Sequence, residues 1–96
     1  MPAYCYFDIL QVNNEENMQE YREKVLPVVD QFGGRYVVIG GPFEIKEGAW
    51  KPDFPVMIEF PTLNDANKWY NSDEYRELKE LRISSVESNA VFFQGI

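Results

Sequence analysis

Four segments of this chain read as β-strands, and most do not alternate apolar with polar residues as half-wet strands do. "AYCYFDILQV" (3–12) sets Cys5, Phe7 and Ile9 on one face and Tyr4, Tyr6, Asp8 and Leu10 on the other, so both faces carry large apolar groups. "VMIEF" (56–60) opposes Val56 and Ile58 to Met57, and "AVFFQ" (90–94) opposes Val91 and Phe93 to Phe92. In 96 residues there is helix enough to cover one face of such a sheet. The other face would expose a larger apolar patch than soluble monomers tolerate. A second copy packed sheet to sheet is the economical cover, so the pattern alone predicts a homodimer.

Between the strands the period changes. A helix is expected from about Glu15, capped by Asn13 or Asn14, with Met18, Tyr21, Val25, Val28, Val29 and Phe32 on its buried face. Pro27 falls inside that pattern and should kink the helix or end its regular part. Gly33 suits the left-handed residue after the helix. Residues 36–39 form a second strand. Thr62 with Asp65 opens a short helix carrying Leu63, Ala66, Trp69 and Tyr70, and Ser72 caps another with Asp73 and Glu74 in its first turn. The order β-α-β-β-α-β, with the second helix broken in two, predicts one α+β domain over residues 1–96, a four-stranded antiparallel sheet with its helices on one face.

Composition excludes several chemistries. There is no histidine, which removes histidine-based triads and histidine metal sites, and Cys5 is the lone cysteine, so no intrachain disulfide or paired-cysteine chemistry can form. The net charge of −7 argues against a nucleic-acid partner. No apolar run approaches membrane-spanning length and "MPAYCYFDIL" lacks a basic leader region, so the expectation is a soluble cytoplasmic protein without metal or cofactor. The two glycine pairs, Gly33-Gly34 and Gly40-Gly41, sit in neither a phosphate-loop nor a dinucleotide-binding pattern, and the first follows a helix rather than a strand. They read as hinges, the second at a bulge or a strand corner.

Two longer stretches then become familiar. "FGGRYVVIGGPFEIKEGAWKP" and "IEFPTLNDANKWYNSDEYRELKELR", with "PAY", "EYREKV" and the final Gly95 around them, resemble the bacterial family called domain of unknown function 1330. The resemblance implies a ferredoxin-like protomer of the dimeric α/β-barrel superfamily, and no established activity. It also implies arginines just before the second glycine pair and a few residues after the tryptophan; this chain has Ile39 and Phe54 there.

Candidate site residues stand out by context. Asp8 and Glu59 are lone carboxylates in apolar strands and could form an acid/base pair, or each could meet an arginine, a backbone donor or a wet rim. Arg82 lies on the apolar stripe of the last helix with Tyr75 and Leu78, where it could meet a sheet carboxylate such as Glu59 or an anionic ligand, or snorkel; Lys79 lies near the same stripe. Trp50 follows Gly48 in a loop rather than a periodic element, and with Tyr6, Tyr36, Tyr70 and Tyr75 it could line an aromatic pocket, although aromatics in so small a domain are mostly core or interface. Glu59, Trp50 and Arg82 are expected to border one cavity, between sheet and helices or at the dimer rim. The functional expectation is a dimer that binds a small organic molecule in its barrel. The alternatives are a cofactor-independent isomerase or monooxygenase-like enzyme acting on a small aromatic or carboxylic compound, and a non-catalytic stress or scaffold dimer.

Overall fold

The computed structural model describes residues 1–96, in the order β1 (Ala3–Val12), α1 (Glu15–Gln31), β2 (Arg35–Ile39), β3 (Pro55–Phe60), α2 (Leu63–Tyr70), α3 (Asp73–Ser85) and β4 (Val86–Gln94). The strands form one antiparallel sheet in the order β2-β3-β1-β4. Cys5 lies opposite Ile58 and Phe92, and Tyr6 opposite Met57 and Val91, so the two faces expected of β1 are the two faces of the whole sheet. All three helices pack on the Cys5 face. There Met18, Tyr21, Val25 and Val29 of α1, Ala66 and Trp69 of α2 and Tyr75 of α3 join Cys5, Phe7, Ile58 and Phe60 in one core. Trp69 is the hub, with ring centroids 4.3 Å from Tyr75, 5.4 Å from Phe60 and 6.2 Å from Phe7. This is the ferredoxin-like α+β architecture.

Local chemistry explains the element ends. The Asn14 side chain accepts the Asn17 amide, Thr62 the Asp65 amide and Ser72 the Tyr75 amide, so each helix begins on a side-chain cap. Gly33, at φ 84°, ends α1 in the conformation glycine adopts without strain. Gly34 serves a different need: a Cβ there would lie 2.6 Å from the Phe60 ring and 2.7 Å from Val29. Gly34→Ala is therefore expected to lower stability by about 1–3 kcal/mol, read from the urea midpoint at unchanged slope.

Two element bounds differ from expectation. Pro27 does not end α1, which runs on to Gln31; it sits on the exposed side, where water can satisfy the carbonyl one turn back that loses its N–H partner. And β4 begins at Val86 rather than Ala90, directly after α3, because "VESN" pairs with the outer half of β1 from Asp8 to Val12. The second glycine pair marks a corner: β2 stops at Ile39, and residues 40–54 run without helix or strand to β3. The strand irregularity lies earlier, between Tyr36 and Val38. No helix is long and apolar enough to cross a membrane.

Candidate functional site

Helix α1 leans on α3 more than on the sheet, and its backbone stays away from β2 and β3. The space left between α1 and those strands is a cavity of about 270 Å³. Phe7, Ile9, Tyr36, Val56 and Ile58 form its floor, Met18, Tyr21 and Val25 its roof, and Arg82 its inner end; Arg22, Leu26, Ile39 and Phe54 complete the lining. Ile39 and Phe54, where the resemblance implies arginines, are 65% and 45% exposed, so they make the outer lining apolar.

The inner end is polar and buried. Arg82, in the last turn of α3, is 5% exposed. Its Nε–H donates to the Tyr75 hydroxyl at 3.3 Å, an Nη1–H donates to Ser88 Oγ at 3.2 Å, and its guanidinium lies 5.0 Å from the Phe7 ring centroid. Tyr75 and Tyr21 share a hydrogen bond of 2.6 Å. Burial raises the pKa of Tyr21, Tyr36 and Tyr75 above the ordinary tyrosine value, with Arg82 pulling each back only in part. All three hydroxyls stay protonated near neutral pH. Burial pulls the Arg82 pKa down, its tyrosine neighbours more than offset this, and the guanidinium remains charged. The cavity therefore offers hydrogen-bond donors and one fixed cation.

A second hollow, of about 460 Å³, lies on the opposite face between the loop 40–54 and Tyr6, Val38 and Met57 of the sheet. Trp50 stands over it, its ring centroid 6.4 Å from that of Tyr6. The Tyr6 hydroxyl is buried there without a protein partner.

The structure thus separates the residues that the sequence singled out. Arg82 lines the first cavity, with Tyr75 buried behind it and bonded to it, and Trp50 and Tyr6 line the second. Glu59 borders neither within the protomer. It lies opposite Arg35 across β2 and β3 and accepts a 2.8 Å hydrogen bond from its Nε. That guanidinium, then the Tyr4 hydroxyl, holds the Glu59 carboxyl below the usual range. Asp8 is not beside Glu59 either, because the register sets it opposite Pro55 and Glu59 opposite Tyr4. One Asp8 carboxylate oxygen accepts the backbone N–H groups of Asp53 and Phe54, both at 2.9 Å, and so anchors the end of the long loop. Tyr70 packs edge-on against Phe92, and Lys79 donates to its carbonyl oxygen at 2.9 Å. Tyr21 and Ser88 enter the site unannounced by the sequence. The signal for Tyr21 was a hydroxyl inside an otherwise apolar stripe; Ser88 lies in the part of β4 that polar residues disguised. No group of three histidine, cysteine, aspartate or glutamate side chains is placed to hold a metal ion.

Solved structures share the fold at low identity. A protein of unknown function from Rhodopseudomonas palustris is 18% identical, with 99% of this chain and 82% of that one covered and a TM-score of 0.75. A dimeric protein of unknown function and ferredoxin-like fold from Bacteroides fragilis is 14% identical over 98% and 96% of the two chains, with a TM-score of 0.64. A candidate antibiotic biosynthesis monooxygenase from Nitrosomonas europaea is 15% identical over 99% and 89%, with a TM-score of 0.55. No curated protein matches the sequence. The model of the domain of unknown function DUF1330 matches residues 2–96, nearly the whole chain, and the chain therefore belongs to that family.

Proposed function

We propose that this protein works as a homodimer that binds a small organic molecule in the cavity between α1 and the sheet. The observation that carries the reading is the convergence of Arg82 and the Tyr21 and Tyr36 side chains on a space whose other lining residues are apolar apart from Arg22, which is paired with Glu15. Apolar walls with a few placed polar groups are what small-molecule sites are made of. The test is methyl NMR during titration with a set of small aromatic and aliphatic compounds. Binders are expected to shift the methyls of Val25, Val56 and Ile58. Binders that instead shift only Val38 and Met57 would move the site to the second hollow and overturn the reading.

Assembly follows from the uncovered face. Val38, Val91 and Phe93 are 38%, 46% and 53% exposed on the sheet face that no helix covers, beside Phe43, Ile45 and Trp50 of the loop at 40%, 48% and 68%. A second copy supplies an equal and complementary apolar face. The Bacteroides fragilis protein of the same fold is described as dimeric.

Binding is favoured over turnover because the cavity lining has no group poised to accept a proton near neutral pH. Its tyrosines are held protonated and its charged residues are both arginines. An enzyme of the monooxygenase kind would have to draw its base from the substrate, and its support is the likeness of fold to the Nitrosomonas europaea protein.

A further inference from the structure

The arginine at the inner end of the cavity has no acid to balance it. None of the ion pairs in the chain includes Arg82, although it is 5% exposed. Two of its N–H donors are used, by Tyr75 and Ser88, and the rest of the fork has no protein acceptor. Nor is that part sealed in the core. The fully buried polar side-chain atoms without partners are Tyr6 Oη and Trp69 Nε1, so the free side of the guanidinium opens on the cavity that Arg82 lines. In a chain with 16 acidic residues and a net charge of −7, not one aspartate or glutamate lines this cavity. The other charged lining residue, Arg22, is already bonded to Glu15 at 2.7 Å. One cation is left without a counter-ion, where leaving a charge unpaired is costly.

A second donor stands beside it. Either hydroxyl can donate in the Tyr21–Tyr75 bond, and in the arrangement where Tyr75, which accepts from Arg82, donates to Tyr21, the Tyr21 hydroxyl hydrogen is left for a ligand in the cavity. We infer that the cavity takes a small organic monocarboxylate, its carboxylate on the open fork of Arg82 and on the Tyr21 hydroxyl, its apolar body along Phe7, Val25 and Val56. This rests on the reading of that cavity as the ligand site. The guanidinium is a planar fork that matches a carboxylate edge on, and it lies 5.0 Å from the Phe7 ring centroid. One unbalanced cation suits a monoanion; a dianionic phosphate would need a second free cation. At about 30 Å³ per water-sized group, 270 Å³ holds roughly nine such groups, the size of a benzoate or a short fatty acid.

The experiment compares benzoate, phenylacetate and octanoate with benzamide, benzyl alcohol and octanol by calorimetric titration at one pH near neutrality. The wild-type protein is expected to prefer each acid over its neutral counterpart by roughly ten- to hundredfold. Arg82→Leu should remove the preference while still taking up the neutral compounds. Its unfolding temperature without ligand should stay level or rise, because an uncompensated buried charge has been replaced by an apolar group. Should that variant fail to fold, Tyr21→Phe provides the check, with acid binding weakened and neutral binding unchanged. Equal binding of acids and neutral compounds to the wild type overturns the carboxylate inference and leaves the cavity as a site. Neutral compounds that bind while every acid is rejected overturn it too, and no binding of either class, with the Val25 and Val56 methyls unmoved, overturns both.

Discussion

Phe93→Asp is expected to yield a folded monomer, and the same change one residue earlier, at Phe92, to unfold the protomer. The two rings point to opposite faces. Phe92 meets Phe7 and Tyr70 edge-on, at 6.2 Å and 5.4 Å, on the helix side, while Phe93 is 53% exposed on the open side. Burying a phenylalanine is worth about 1.5–3 kcal/mol, and in a two-fold interface each substitution counts twice. Losing two buried rings should weaken the dimer by roughly 3–6 kcal/mol, or about two to four orders of magnitude in dissociation constant, before the cost of two buried carboxylates. Sedimentation velocity reads the mass and circular dichroism the fold. A Phe93→Asp protein that remains a dimer at micromolar concentration refutes sheet-to-sheet assembly.

Alkaline pH should destabilise the protein more steeply than acid. Burial pushes the Cys5 thiol up to about 12 and holds Tyr21, Tyr36 and Tyr75 above the ordinary tyrosine value. For each group the folded pKa exceeds the unfolded one, so its contribution is fully present below the unfolded value. It is lost as pH rises through the window between the two. For Cys5, a rise of about three units at 1.4 kcal/mol each gives at most about 4 kcal/mol, a large share of the 5–15 kcal/mol typical of such domains. The urea midpoint should be flat from about pH 6 to 8 and fall steeply above about pH 9. Cys5, fully buried, should resist thiol reagents until that fall begins. Tyrosinate absorbance from the buried tyrosines should appear with unfolding. Tyr21, Tyr36 and Tyr75 titrating near pH 10 in a folded protein would count decisively against this account.

Much of the fold was legible because strand and helix periods are local properties. The Cys5 and Tyr6 faces, the Thr62 and Ser72 caps and the turn at Gly33 all follow from near neighbours, whereas the choice of Asn14 over Asn13 as the first cap did not. The first half of β4 was not legible, because glutamate, serine and asparagine disfavour strands and are held there by pairing with β1. Pro27 misled because the cost of a proline depends on which side of the helix meets water. In the site, Arg82 was legible as a charge on an apolar stripe. Its environment was not: the partner expected for it, Glu59, is taken by Arg35, which the strand register alone decides. Trp50 sits in a segment without period, so no pattern could assign it to a face. Tyr21 shared the spacing of its aliphatic neighbours, and what distinguishes it is a bond to Tyr75, 54 residues away.

The direct passage from α3 into β4 divides the chain into a part that can change length and a part that cannot. Ser85 ends the helix, Val86 begins the strand, and the Ser85 carbonyl oxygen accepts the N–H groups of Asn13 and Asn14 at 2.7 Å and 3.2 Å. One inserted residue here has no loop to absorb it. Either the end of α3 turns by about 100° and carries Arg82 out of the cavity, or β4 slips by one and exchanges the faces of Phe92 and Phe93. Within residues 40–54, which have no ladder to preserve, the exposed turn at Gly48 has open space about it and can gain residues at little cost. Grafted tags and engineered sensors belong there, clear of Phe43, Ile45 and Trp50 beside the open sheet face and of the Asp53–Phe54 end held by Asp8, and the junction at 85–86 has to be kept residue for residue.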